Sequence, residues 1–358
     1  MAIIHGLLGS SASQGGFAPL DASGGDSTTT YNDGGGLWKL HRFTTSGTFT
    51  VNSLAVGGTY QNNCISMFMV GGGGAGGDGW SAIVGNNVAN GGAGAGAVKY
   101  NTTPDSGTAV TASAYTVTIA ATQTTDSVQG NTTSIAGNIG GSVKTLYAGG
   151  GGGGGATTGG NANSSYGGSA AGGGHGAYIG LYTGGPGTAY EGSSHNWPTS
   201  NPTTTHATHG GGHQHWNSGA GGGGGAGSAG VTSTTGAAGH GHGGEPIENT
   251  WWDGTSEWFA AGGGGGNNDG RGATTASKGG HATTVAKQIG GEGPPNDNYF
   301  LDDSGHALSN GDDGTGSGGG GCSMAECSPG AGRGTTPPGG VGKGGSGVLI
   351  IRYKITPY

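Results

Sequence analysis

Cys64-Ile65-Ser66-Met67-Phe68-Met69-Val70-Gly71-Gly72-Gly73-Gly74 is the stretch on which the fold turns. A nearly continuous apolar run of strand length passes, with no turn residue between, into four glycines. The first half reads as a buried β-strand. The second half has no side chains to bury. The same junction recurs where Tyr147-Ala148 runs into Gly149-Gly150-Gly151-Gly152-Gly153-Gly154-Gly155. Further runs are Gly221-Gly222-Gly223-Gly224-Gly225, Gly262-Gly263-Gly264-Gly265-Gly266 and Gly318–Gly321.

Other strands are read outward from that stretch. Gly36 to Phe43 (GLWKLHRF) alternates apolar and polar residues, and Thr48-Phe49-Thr50-Val51 repeats the pattern after the turn signal Ser46-Gly47. Ala97–Tyr100, Ala114–Ile119 and Ser142–Tyr147 are β-branched or aromatic-rich, and Val348–Ile355 (VLIIRYKI) closes the set. No amphipathic helix is evident. The expected class is all-β, a small antiparallel β-sandwich closed by the C-terminal strand.

Composition sharpens this. Of 358 residues, 95 are glycine and 12 proline, while Ile, Leu, Val and Phe total 44. Residues 1–155 hold 28 of those 44, residues 341–358 hold 6, and the 185 residues between hold 10. A conventional core is therefore expected only from the two chain ends, which must meet in one sheet. Collagen is excluded because glycine does not fall at every third position. The longest run of large aliphatics, Val348-Leu349-Ile350-Ile351, is far short of the ~20 residues of a membrane-spanning helix. A net charge of −8 with 11 Lys plus Arg argues against nucleic acid as a partner.

Glycine runs have two readings. One is a set of flexible linkers. The other is a bundle of polyproline-II-like helices built from glycine, with three residues per turn, a rise of about 3.1 Å and no internal hydrogen bonds. Only glycine lets such backbones approach closely enough to bond to one another. Ordering a backbone residue costs about 1–2 kcal/mol, and a net hydrogen bond returns about 0.5–1.5 kcal/mol. Such a lattice is expected to persist only when anchored to a β-core.

Three stretches then carry a resemblance. Phe43-Thr44-Thr45-Ser46-Gly47-Thr48-Phe49-Thr50-Val51, the Met67–Gly74 junction and the ending Gly344-Gly345-Ser346-Gly347-Val348-Leu349-Ile350-Ile351-Arg352-Tyr353 resemble the glycine-rich domain of bacteriophage tail-fibre and appendage proteins. The chain is also similar in style to the glycine-rich tip adhesins of T-even-like phages. The resemblance implies polyglycine-II helices that support loops contacting the host surface. It implies a virion protein; the odd cysteine count and a start with neither a basic n-region nor a clear cleavage site fit synthesis in the host cytoplasm followed by exposure on the released particle. The implied partners are other virion proteins of tail or capsid and a host cell-surface glycan or protein. It implies no enzymatic activity. Fibre proteins are commonly homotrimers, although no heptad or shaft repeat here demands it.

Display residues are expected between the glycine runs. Tyr178, Tyr182, Tyr190, Trp197 and Trp216 lie among Ser, Thr, Asn and His, and Trp251, Trp252 and Trp258 form a second group. Aromatic rings give large contact area at low entropy cost. The competing reading is that they pack on one another beneath the loops. Eight of the 12 histidines fall between 175 and 242, including the pairs His213/His215 and His240/His242. An H-x-H pair on an extended segment puts both rings on one face. By the resemblance, three chains each offering one pair could enclose a metal ion; exposed loop histidines without metal are the alternative, and no other cofactor is expected. Cys64 reads as a buried thiol, and Cys322-x4-Cys327 as a local disulfide or two free thiols. Gly73–Asp78 matches the start of a calcium nonapeptide once, without the tandem copies such sites need.

The expected organisation is an attachment arm over 1–36, a β-sandwich with the first glycine run over 37–148, a polyglycine-II-like lattice with display loops over 149–345, and a closing strand over 346–358. The leading expectation is an appendage adhesin. The alternative is a capsid or tail decoration or connector protein with a purely structural role.

Overall fold

The computed structural model describes residues 16–77, 90–101, 108–155, 203–206, 220–232, 241–266, 289–291, 310–321 and 342–357. These residues are all-β, and every paired strand is antiparallel. Among them the single helical element is a 3-10 turn at Tyr60–Asn63, and no helix is long and apolar enough to cross a membrane.

One sheet has the order β1 (Asp21–Ser23), β4 (Gly47–Ser53), β8 (Ala114–Thr118), β9 (Thr133–Ile139), β10 (Ser142–Ala148). The larger sheet runs β11 (Thr203–His206), β6 (Val98–Asn101), β5 (Cys64–Val70), β14 (Val348–Lys354), β3 (Leu37–Phe43), β2 (Ser27–Asn32), with β7 (Thr108–Ala109) also pairing β5. The C-terminal strand β14 thus lies between β3 and β5, with Leu349 opposite both Phe43 and Met69. The two chain ends do meet in one sheet.

Period-two alternation sends one face of the larger sheet toward the smaller one. Phe43, Ile65, Met67, Met69, Leu349 and Ile351 join Phe49, Val51, Tyr115, Val117, Ile135 and Leu146 in a single buried cluster. Each large side chain removed from water in this way is worth about 1.5–3 kcal/mol. The Tyr115 hydroxyl accepts from the Thr111 N–H at 2.8 Å and lies 3.0 Å from the Asn138 carbonyl, fastening β8 to β9. Gly137 makes room for the ring, since a Cβ there would lie 2.3 Å from Tyr115 Cδ1. The opposite face of the larger sheet carries a second cluster, with Trp38, Leu40, Phe68, Val70, Val98 and Ile350.

The stretch 1–36 is not uniformly an arm. Leu20 and Ala22 are buried in the first cluster, β1 pairs with β4, and β2 pairs with β3 along its full length. Gly24 and Gly25, at φ of 111° and 91°, carry the chain from one sheet to the other. Residues 1–15 lie outside the described residues.

The glycine segments leave the ends of these strands and bond to each other through the main chain. The pattern has a period of three. Gly71, Gly74 and Gly77 donate to the carbonyls of Ala97, Gly94 and Gly91; Gly72 and Ala75 donate to Asn131 and Val128; Gly73 and Gly76 donate to Gly345 and Gly342. Successive residues of one segment therefore address three different neighbours. The segment 91–97 behaves alike: Gly91, Gly94 and Ala97 donate to Gly155, Gly152 and Gly149, Gly92 and Ala95 to Gly221 and Gly224, Ala93 and Gly96 to Gly319 and Gly316. Segments 220–226, 260–266 and 316–321 repeat it, with Ala220, Gly223 and Ala226 donating to Gly266, Gly263 and Ala260.

Close approach dictates the glycine. A Cβ on Gly151 would lie 2.0 Å from the Gly94 carbonyl oxygen, and one on Gly71 would lie 2.0 Å from that of Gly149. The array is not confined to 149–345. Its segments 71–77, 91–97 and 127–131 are interleaved in sequence with the sheet strands.

Candidate functional site

The bonding pattern gives the glycine array two distinct ends. At one end Gly71, Ala97 and Gly149 join strands β5, β6 and β10, and Ala226 meets Ala260 beside the second core cluster. At the other end Gly77 bonds to Gly91, Gly91 to Gly155, Gly266 to Asn90, Ala220 to Gly266, and Gly342 to Gly320. Because runs lead alternately toward and away from the sheets, the chain leaves or re-enters the array at this far end at 77, 90, 155, 220, 241, 266, 321 and 342. Tyr178, Tyr182, Tyr190, Trp197, His213, His215, Trp216 and His240 lie outside the described residues; the first seven fall between Gly155 and Ala220, a stretch that also supplies β11 to the larger sheet beside β6. Cys322 and Cys327 also lie outside the described residues.

Trp251, Trp252 and Trp258 occupy a different place. They belong to a hairpin of β12 (Ile247–Asn249) and β13 (Glu257–Phe259), paired Ile247 with Phe259 and Asn249 with Glu257. The hairpin lies on the outer face of the larger sheet. Phe259 meets Phe68 at 5.0 Å between ring centroids, and Trp251 meets Phe68 at 6.2 Å, both edge-on. The Arg352 guanidinium is sandwiched between Trp251, 3.8 Å from its ring centre, and Trp38, 4.7 Å away. Arg42 stacks 4.6 Å over Trp252 and forms an ion pair with Glu257. A cation held over an indole in a partly desolvated setting is worth about 0.5–2 kcal/mol.

The hairpin turn is built by local chemistry. Asn249 Oδ1 accepts the Trp251 N–H at 2.8 Å, and Asp253 Oδ1 accepts the Thr255 N–H at 2.9 Å. Hydrogen bonds from Thr255, first from its hydroxyl and then its amide, hold the Asp253 carboxyl below its ordinary value. Gly254, at φ 85°, sits so close to Tyr31 that a Cβ would lie 2.3 Å from its hydroxyl. Trp251 and Trp252 are half-buried against the sheet, and residues 253–256 form the exposed edge. The Nε1 atoms of Trp38 and Trp258 are buried without a hydrogen-bond partner among the described residues.

Arg42, Arg352, Tyr31 and Glu257 were not singled out from the sequence. The available signal was two arginines inside strand patterns, LWKLHRF and VLIIRYK, in a chain with only 11 cationic residues. A cation in a half-buried strand needs a partner, and both take tryptophan.

His242 is half-buried, and its carbonyl accepts the Val231 N–H at 2.8 Å. Among the described residues no group of three or more His, Cys, Asp or Glu could hold a metal ion. Cys64 is buried, its thiol donates toward the Tyr60 carbonyl, and burial pushes its pKa up to about 11. No family model matches the chain, and no curated protein matches it in sequence.

Proposed function

We propose that the glycine segments are polyglycine-II rods bundled on a β-sandwich, and that the protein is a phage appendage adhesin whose distal loops recognise the host surface. The observation that carries this reading is the three-residue bonding period between 71–77, 91–97 and their neighbours. A three-fold rod sends its amides in three directions, as a polyproline-II helix does. The lattice glycines lie outside the left-handed region, with Gly316 at φ 69° the exception at the sheet end of its run. A rigid array anchored in a β-core at one end and releasing chain at the other is a display platform. The aromatic-rich stretch 175–217 falls between Gly155 and Ala220 at that end, with Thr203–His206 within it paired to β6 of the larger sheet, and its rings suit contact with a glycan or protein.

Two measurements test the two halves of the proposal. Hydrogen exchange should show the amides of Gly91, Gly94 and Gly151 strongly protected; exchange at the rate of an unstructured peptide removes the rods. Labelled full-length protein should bind saturably to whole cells or envelope fragments of a subset of bacteria. Replacing residues 178–197 by a Gly/Ser stretch of equal length should abolish that binding while leaving the exchange pattern intact. Binding that survives this and every other distal replacement, or stoichiometric coating of capsids without cell binding, assigns the chain to the decoration or connector class.

A further inference from the structure

The two sheets end in four edge strands, β1, β10, β11 and β2. An open edge is a template for pairing with another chain, and proteins blunt it by shortness, bulges or inward-pointing charge. Strand β1 has three residues and an irregular register between Asp21 and Ala22. Strand β11 has four residues. Strand β10 turns Lys144 to the same side as the buried Leu146 and Ala148, an inward-pointing charge.

Strand β2 carries none of these devices. Its six residues pair with β3 in unbroken register, from Ser27 opposite Arg42 to Asn32 opposite Leu37, and include no charged residue and no proline. Ser27, Thr28, Thr30 and Asn32 are exposed. The main-chain groups on the side away from β3 have no hydrogen-bond partner among the described residues. The flanking aspartates are turned to their own chain. Asp26 accepts the amides of Thr44 and Thr45 at 2.6 and 2.8 Å, and Asp33 accepts the Gly35 amide at 2.9 Å.

A further antiparallel strand must keep each residue on its own face of the sheet, and β2 meets that condition against itself. With a two-fold axis perpendicular to the sheet at Thr30, Thr30 meets Thr30 of a second copy, Thr29 meets Tyr31 and Thr28 meets Asn32. Thr–Thr and aromatic–β-branched pairs are favourable across strands. Ser27 then meets Asp33, so no like charges are opposed. An axis at Thr29 would set Tyr31 against Ser27 and lose the aromatic–threonine pair.

We infer that β2 pairs with β2 of a second copy, antiparallel about Thr30, joining two larger sheets into one continuous sheet. One strand pair is a small interface beside the roughly 1,200–2,000 Å² of stable complexes, so the dimer is reversible and grows with concentration. The inference is independent of the adhesin reading, because β2 belongs to the sheet and not to the glycine array.

Sedimentation velocity of the full-length protein over a concentration series should show a monomer–dimer equilibrium. Thr30→Lys sets two ammonium groups face to face on the axis and should raise the Kd at least several-fold. Thr30 is exposed, so the substitution leaves both cores alone. A monomer at every concentration, or an assembly that Thr30→Lys leaves unchanged, overturns the inference. Register is read separately, in a Cys322→Ser/Cys327→Ser background. There Thr30→Cys should form an inter-chain disulfide under mild oxidation far faster than Thr28→Cys. Thr28 is also exposed, but its two copies would lie about 14 Å apart along the strands, beyond the roughly 7 Å between Cα atoms that a disulfide spans. Equal rates reject the inference.

Discussion

Replacing Gly151 by alanine should damage the array far more than its single methyl group suggests. The new Cβ would sit 2.0 Å from the Gly94 carbonyl oxygen and 2.5 Å from that of Ala95. Ordinary contact needs well over an ångström more, and both obstacles are backbone. Separation must therefore come from moving whole segments. Three main-chain bonds meet there: Gly151 N–H to Gly72 at 2.9 Å, Gly130 N–H to Gly151 at 2.8 Å and Gly94 N–H to Gly152 at 2.9 Å. At about 1 kcal/mol each their loss removes roughly 3 kcal/mol, and more where a buried amide is left without a partner. Alanine returns about 0.4–1 kcal/mol by restricting the unfolded chain. The expected net loss is about 2 kcal/mol or more, a sizeable share of typical domain stability. Urea denaturation of Gly151→Ala and of the control Gly47→Ala measures it. Gly47 lies in β4 with its nearest obstacle, the Phe43 ring, at 3.8 Å, so alanine there should be neutral or stabilising. If the two variants denature together, close backbone approach is not what glycine provides in this protein.

Other consequences can be measured on the same material. Ala260 holds φ 61° where only glycine is free of strain, so Ala260→Gly should be neutral or stabilise by up to about 1 kcal/mol, whereas Ala260→Val should destabilise, both read by urea midpoint. Arg352→Met keeps the aliphatic stem but removes the charge between Trp38 and Trp251, and should cost about 1–2 kcal/mol and alter tryptophan emission; an unchanged spectrum and midpoint would mean the sandwich contributes only packing. His41 is buried, 2.7 Å from the Gly24 carbonyl through Nδ1 and 3.3 Å from the Tyr353 hydroxyl through Nε2, and burial lowers its pKa, with nearby Lys39 adding to this while the Gly24 bond and Asp21 oppose it. Below pH 6.5 the unfolded chain then binds a proton that the folded chain refuses, so stability should fall as pH drops from 6.5 toward the depressed folded value. His41→Gln should flatten that slope between pH 7.5 and 5, and an unaltered slope would place the titration elsewhere. Cys64, with its pKa near 11, should resist thiol reagents at pH 8 until the protein unfolds, as followed by mass spectrometry of its peptide.

The sheets were legible where side chains alternate or cluster. β3, β5, β8, β10 and β14 sit within a residue or two of the stretches that pattern alone marks out. β9 escaped notice because TSIAGNI carries Gly137, which reads as a strand breaker; its reason is the Tyr115 ring lying over it, a contact between residues distant in sequence. β2, STTTYN, is a polar edge strand with only its outward face to show, so it was indistinguishable from a loop. The glycine runs were visible, but their partners were not. A segment without side chains carries no mark of which neighbour it addresses, and 71–77 could not be joined to 342–345 by inspection. The hairpin at 247–259 was visible as an aromatic cluster, while the arginines that hold it lie in strands nearly a hundred residues after it and two hundred before it.

The threefold address system of the glycine segments sets a rule for how such a protein can change length. Adding one residue within 91–97 would shift every later amide by one place in that cycle of three, handing each to the wrong neighbour. Only steps of three restore the pairing. Between the segments no such arithmetic applies. Lengthening a connecting stretch costs little more than its closure entropy, about 0.6 kcal/mol per doubling. The array is thus quantised, and changes of length inside its segments should come in threes.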